Sequence, residues 1–303
     1  KRVFIIGLLT DFIESSSDAW LLCCREVSKY YNSIIRIYNP LYLLERHVPA
    51  YIATLIGDFF LRMLSLLGKR TAEMHLLLSK GDEEDGFTLE PSTKEYRSLL
   101  LRMMLNHAED VFSLLSHNID RLHISIRDDA ISLLALRDEI KACYRPIENI
   151  EFMKMRIHGD YHLGQVLFTG DDFVIIDFEG EPIKPLSLRR MKYSPFVDVA
   201  GMLRSLHYAA YTVLYSKREY RGLEAAAERW YDYACSLFLK SYIKTMSDSA
   251  CIPENRDDMS HLLKIFLLDK AVYEIGYELN NRPDWVLIPI KGVLRIIQEF
   301  KGS

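Results

Sequence analysis

Residues 152–180 interrupt a chain whose apolar residues otherwise recur at helical spacing. Two short apolar runs, Val166-Leu167-Phe168 and Phe173-Val174-Ile175-Ile176, flank Thr169-Gly170-Asp171-Asp172, a pattern that predicts a β-hairpin. Just before it lies Ile157-His158-Gly159-Asp160-Tyr161-His162-Leu163-Gly164-Gln165, and just after it Asp177-Phe178-Glu179-Gly180-Glu181. One carboxylate thus sits in a Gly-interrupted loop, an amide follows five residues later, and a second carboxylate ends an apolar strand. That layout suits phosphoryl transfer: a base for a hydroxyl and two oxygen ligands for magnesium.

The rest of the chain predicts helices. Residues 3–9 form a short β-branched run, expected to be a buried strand, and Ser17 or Asp18 can cap a helix over 19–35. A long helix is expected over 51–79. Residues 81–91 are acidic and Gly-flanked, a loop. Ser92 and Glu95 form a capping box for a helix over 92–117, and another helix is expected over 123–143. Pro182, Pro185 and Pro195 keep the stretch after the hairpin irregular. Helices resume over 195–216, 219–246, 256–280 and 286–300. The expected fold class is mainly α, α+β overall, with a small hairpin carrying the special residues.

With 303 residues, nearly half of them hydrophobic, the chain can bury a large core in one or two domains. Net charge is −4 and there is no dense basic block, which gives nucleic-acid binding little electrostatic support. The five cysteines are odd in number and form no CxxC pair, as expected for free thiols in the cytoplasm. No stretch approaches the roughly 20 apolar residues of a membrane span. The basic-then-apolar start resembles a signal peptide, but no Ala-x-Ala site follows.

Asp160 follows Gly159, which permits a sharp turn that presents the carboxylate to a cleft as a general base. Gln165 and Asp177 offer one neutral and one charged oxygen. Mg²⁺ prefers such hard ligands and completes its shell with water and phosphate oxygens. The ordinary structural alternative is that Asp160 caps a turn and Asp177 merely ends a strand. His158 and His162 have the four-residue spacing of a helical zinc pair, but Gly159 and Gly164 oppose a helix, so His158 is expected to support the loop backbone. Asp198, among apolar residues at a helix start, is expected to anchor the catalytic loop or to serve as a helix-start carboxylate. Lys270, Tyr273, Glu274 and Tyr277 share one helix face, a stripe suited to stacking on a sugar and binding its hydroxyls, or equally to ordinary core packing.

Together with Gly68–His75, Arg189–Pro195, Asp198–Ser205 and Tyr273–Trp285, these segments resemble the maltokinases, in the aminoglycoside-phosphotransferase-like branch of the protein-kinase-like fold. The resemblance implies ATP and Mg²⁺ as cofactors and maltose as the acceptor at its anomeric hydroxyl. It implies Asp160 as base, Gln165 and Asp177 as metal ligands, and Lys270, Tyr273, Glu274 and Tyr277 at the sugar. Asp11 and Ile13 would meet adenine in a hinge, and a trehalose synthase would be the fused or associated partner. On this resemblance residues 1–14 are the last strand and hinge of an N-terminal lobe, and 15–303 the helical C-terminal lobe. No Gly-rich loop or strand lysine precedes the hinge, so the chain is expected to be a piece of a longer kinase and a poor catalyst alone. The rival readings are an aminoglycoside- or choline-type kinase, a non-catalytic docking module, and a zinc hydrolase using His158, Asp160 and His162.

Overall fold

The computed structural model describes residues 12–36, 49–81 and 86–301. The expected strand over 3–9 and the hinge residue Asp11 lie outside them. Helix α1 (Ala19–Ile35) begins where Asp18 accepts a hydrogen bond from the Leu21 N–H at 2.7 Å. That bond satisfies one of the four donors a helix start leaves unpaired. The helix buries Leu22, Cys23, Val27, Tyr30, Tyr31 and Ile34, a stripe one to four residues apart.

The long helix expected over 51–79 is two helices, α2 (Pro49–Ile56) and α3 (Asp58–Leu78). Gly57 separates them with φ of 88°, a conformation open mainly to glycine. The helix expected from 92 is α4 (Lys94–Asn118), and its cap is Thr93, which accepts from the Tyr96 N–H at 3.2 Å. Ser92 instead accepts from the Phe152 N–H at 3.1 Å, joining the helix start to the chain before the hairpin. The helix expected over 123–143 is also divided, into α5 (Ile124–Ala135) and α6 (Arg137–Tyr144). Leu136 leaves helical geometry there, a break that no Gly or Pro announces.

Strands β1 (Ser17–Asp18), β4 (Val166–Phe168) and β5 (Phe173–Ile175) form an antiparallel sheet in the order β1-β4-β5, and β2 (Glu90–Pro91) pairs with β3 (Met153–Lys154). The expected hairpin is present, with Val166 opposite Ile175 and Phe168 opposite Phe173. Its tip is pinned by a fork from Arg70 of α3 to both Asp172 oxygens, at 2.7 and 2.6 Å. A one-turn helix, α7 (Leu186–Arg189), follows in the Pro-rich stretch.

Helix α8 (Phe196–Ser216) is the axis of the molecule. Nearly every one of its residues is buried, as expected of a helix apolar all round. It packs against α1, α9 (Glu224–Met246), α10 (Arg256–Asn281) and α11 (Leu287–Lys301). Helix α3 lies along α9. Two charged residues, Asp198 and Arg204, are buried on α8, and each organises a different part of the protein.

Among the described residues no helix is long and apolar enough to cross a membrane. The five cysteines are free, and Cys23 and Cys251 are buried.

Candidate active site

Asp198 stands in the first turn of α8 and is almost wholly inaccessible. One of its oxygens accepts from the His158 backbone N–H at 2.8 Å, the other from the Gly159 N–H at 2.9 Å. His75 of α3 adds a bond from Nε2 at 3.1 Å. A carboxylate only accepts, so Nε2 carries the hydrogen, and the His75 Nδ1 takes the Tyr242 hydroxyl at 2.9 Å. Burial alone would push the Asp198 carboxyl up. The His75 hydrogen bond and the Gly159 amide, with the His75 and His158 rings close by, outweigh it, holding the group below the usual carboxylate range.

Further ties fix the same loop. The Tyr161 hydroxyl meets Thr71 Oγ1 at 2.8 Å, and the Leu163 N–H donates to the Ser205 hydroxyl at 3.1 Å. Gly201 of α8 lies under the Tyr161 carbonyl, so close that a Cβ there would stand 2.5 Å from the oxygen. The residues before the hairpin are thereby held on α8 and α3, with Gly159 at φ of 82° turning the chain immediately before Asp160. Asp160 lines an open cleft of about 350 Å³.

His158 supports this loop. Its Nε2 donates to the Ile176 carbonyl at 2.8 Å and its Nδ1 faces the Asp160 N–H at 3.4 Å, so both ring nitrogens are engaged within the protein. The Nδ1 of His162 accepts from the Gly164 N–H at 3.1 Å. Burial, with the charges of Lys270 and His158, keeps the His162 ring below the ordinary imidazole range despite Asp160 and Asp177. Among the described residues no three His, Cys, Asp or Glu side chains converge as a metal site, and the zinc reading has no geometry behind it.

Gln165 and Asp177 meet across the hairpin base. The Ile176 N–H donates to the Gln165 carbonyl at 3.0 Å, which extends the ladder by one rung and sets Asp177 beside Gln165. The Gln165 side-chain amide donates to the Asp177 carboxylate at 2.9 Å. Rotating that amide by half a turn presents its oxygen instead. Asp177 has φ of 64°, the only positive value outside glycine among the described residues. A left-handed Asp is tolerable but uncommon, and such outliers concentrate at functional sites.

The other end of the cleft is built from α10 and the residues after the hairpin. Lys270 and Tyr273 both line it, with the Lys270 ammonium 4.7 Å from the Tyr273 ring centre. The other two residues of the predicted stripe lie elsewhere. Glu274 turns inward to an ion pair with Arg204 at 2.7 Å, and Tyr277 stacks on Tyr273 from outside, with ring centres 6.5 Å apart. Glu278 is likewise buried against Arg282 and Tyr208. Glu274 follows Tyr273 by one residue, and a 100° step is enough for Tyr273 to face the cleft and Glu274 the core. Ile13 is half-buried ahead of β1, beside the fully open Phe12.

Several cleft residues carried no assignment from the sequence: His107 of α4, Glu181, Lys184 and Asp269. Tyr273 donates to Glu181, which pairs with Lys184 at 3.0 Å. Burial lowers the Lys184 pKa, and the Glu181 charge more than reverses that, although the lysine side chain stays 43% exposed. Burial raises the Asp269 pKa against His107, Lys184 and Lys270, and its Oδ1 is buried with no hydrogen-bond partner among the described residues. Asp269 precedes Lys270 and stands one turn before Tyr273, the one signal that could have marked it.

No family model matches the chain. A curated glucosamine kinase of Streptacidiphilus jiangxiensis is 27% identical over 145 residues, 47% of this chain and 32% of that protein. The glucosamine kinase of Mycolicibacterium smegmatis (strain ATCC 700084 / mc(2)155) is 27% identical over 172 residues, 55% of this chain and 41% of that protein. A solved glucosamine kinase in complex with glucosamine, ADP and inorganic phosphate superposes with a TM-score of 0.72 at 20% identity, covering 94% of this chain and 62% of that one. A glucosamine kinase in crystal form A gives the same TM-score with 57% of that chain covered. The chain therefore spans about a third to two fifths of these curated relatives and shares its mainly helical fold with solved glucosamine kinases.

These matches correct the resemblance to maltokinases. The relatives are sugar kinases of another family, and they remove the ground for maltose as acceptor and for a trehalose synthase partner. The reason lies in what the quoted motif does. The quoted motif spans residues 158–165 and 176–181, whereas the rest of the cleft is lined from other segments, α4, α10 and the residues after the hairpin, so the motif says little about what that part of the cleft receives.

Proposed function

We propose that this chain carries the catalytic and acceptor-binding part of an ATP-dependent sugar kinase, and that its acceptor is an amino sugar of the glucosamine type. The observation that carries the reading is the cleft with Asp160 at one end and an under-satisfied buried carboxylate, Asp269, at the other. The named relatives agree with it, since they are glucosamine kinases and one solved neighbour holds glucosamine and ADP.

In this reading Asp160 accepts the proton of the attacking hydroxyl. Gln165 and Asp177 would hold Mg²⁺. With the Gln165 amide turned by half a turn, its oxygen would stand beside the exposed Asp177 carboxylate, a pair that suits an ion taking the rest of its shell from water and phosphate. The ion supplies charge neutralisation for the transferring phosphoryl group. Asp198 and His158 keep the loop in place so that Asp160 does not have to be ordered during the reaction. Tyr273 and Lys270 bound the sugar, with Tyr273 held by Glu181. Asp269 faces the acceptor, where an ammonium would satisfy its open oxygen. A buried acceptor left unpaired costs about 1–3 kcal/mol, so a cationic sugar substituent has a place to bind that maltose would leave unfilled. On this reading Asp11, which lies outside the described residues, and Ile13 would receive adenine, and residues 15–303 are the helical C-terminal lobe. The free thiols fit a cytoplasmic setting.

The test is a coupled ADP-release assay on the full-length protein with glucosamine, N-acetylglucosamine, glucose and maltose. Glucosamine should give the highest kcat/KM, and Asp269→Asn should remove most of its advantage over glucose. Equal turnover of glucose and glucosamine by the unsubstituted protein would refute the amino-sugar assignment.

A further inference from the structure

A second cavity, of about 330 Å³, lies among α8, α9, α10 and α11 and shares no lining residue with the catalytic cleft. On one wall stand Arg204 and His207, both from α8 and both at most 1% exposed. The Arg204 guanidinium donates through Nε to Glu274, while its Nη2 is buried with no hydrogen-bond partner among the described residues. Gly292 of α11 leaves room for this group, since a Cβ there would come 2.3 Å from Nη1. Neither ring nitrogen of His207 has a partner among the described residues. The ring lies between Tyr211 and Tyr231, with centres 4.5 and 5.1 Å away, and burial together with Arg204 and Arg295 keeps it neutral.

Leaving these nitrogens unpaired costs about 1–3 kcal/mol for each buried group. Groups on one wall of a cavity can recover that from a common occupant. Arg204 offers a donor only; neutral His207 offers one donor and one acceptor. Two oxygens on one carbon satisfy both donors. The lining also carries Lys264, Arg295, Asp232 and Glu299, so the case for an occupant rests on the unpaired Arg204 and His207 nitrogens and not on net charge. Arg295 is already spent on Glu228, Asp232 and Glu299. The remaining walls are apolar, with Leu203, Leu239, Leu263, Leu267 and Ile296.

We propose that this four-helix cavity binds a small carboxylate with a short apolar tail, the carboxylate on Arg204 and His207 and the tail against the leucines. The catalytic reading does not depend on this site, nor the site on it.

The proposal is tested by calorimetry and thermal shift on the full-length protein with butyrate, acetate and inorganic phosphate, sodium chloride serving as the ionic-strength control. Butyrate should bind saturably and more tightly than acetate or phosphate. Arg204→Lys keeps a cation for Glu274 but loses the forked donor, and should weaken butyrate at least about tenfold. Ser236→Trp, at an exposed position on the cavity lining, should block butyrate without unfolding the protein or changing kinase activity. If Arg204→Lys fails to fold, Ser236→Trp alone decides. No saturable binding of any probe, tighter binding of phosphate than butyrate, or butyrate binding untouched by Ser236→Trp would overturn the proposal.

Discussion

The two ends of the catalytic cleft are built in opposite ways. At the Asp160 end, the loop before the hairpin is held by buried side chains bonding its backbone: Asp198 to two successive N–H groups, with His75 behind it, and Ser205 to the Leu163 N–H. At the acceptor end, the side chains reach the cleft from α4, α10 and the residues after the hairpin, and they bond mainly to one another, as Tyr273, Glu181 and Lys184 do. The first arrangement fixes a backbone and can hardly change without losing the loop. The second can exchange members one at a time. On the proposed function, reaction chemistry is thereby fixed at one end while acceptor choice is adjustable at the other.

The largest effect expected from breaking this contrast is at Asp160. Asp160→Asn should lower kcat by roughly a thousandfold, within the range for a lost general base, with KM for the sugar nearly unchanged. A comparable rise in KM would mean that the residue binds the acceptor and belongs to the adjustable end.

Next comes the anchor. Asp198→Asn sets an amide NH₂ among backbone donors and should cost about 3 kcal/mol in urea unfolding, the scale for breaking a buried charged network. Its pH dependence has a definite sign. The folded pKa lies below the unfolded value of about 3.9, so the carboxylate's contribution is complete above that value and is lost as pH falls through the folded pKa. The unsubstituted protein should therefore lose stability relative to Asp198→Asn only below about pH 4. A difference that changed between pH 5 and 8 would assign the anchor to another group.

Gly201→Ala probes the same end sterically. The added methyl meets the Tyr161 carbonyl, a backbone atom that cannot rotate away. A loss of about 1–3 kcal/mol and a fall in kcat should appear together. The smallest expected change is at the acceptor end: Tyr273→Phe removes only the hydroxyl held by Glu181, and should raise KM for the sugar several-fold with kcat and stability little altered.

The same contrast explains what could be inferred before the structure. Asp160, Gln165 and Asp177 lie within 18 consecutive residues, so chain geometry alone brings them together, and the alternation around Gly170 announces the hairpin. The helix start at Ala19 was equally legible, from the acidic cap Asp18. The stripe from Lys270 to Tyr277 misled because helical spacing defines a face without saying how wide a cleft it meets. Glu274 follows Tyr273 by one residue yet turns to Arg204, 70 positions earlier. His107, Glu181 and Asp269 join the site only through packing of segments far apart in sequence, and no local pattern carries that. The same reason led the motif to a maltose reading: the motif says nothing of the segments that complete the cleft.

The most direct measurement is a one-pot competition. Full-length protein, ATP and magnesium would be given equimolar glucosamine and maltose, and the phosphorylated products resolved by phosphorus NMR and mass spectrometry. The account predicts glucosamine phosphate as the dominant product, abolished by Asp160→Asn. Maltose phosphate as the main product, or glucosamine phosphate still formed at the normal rate by Asp160→Asn, would contradict it.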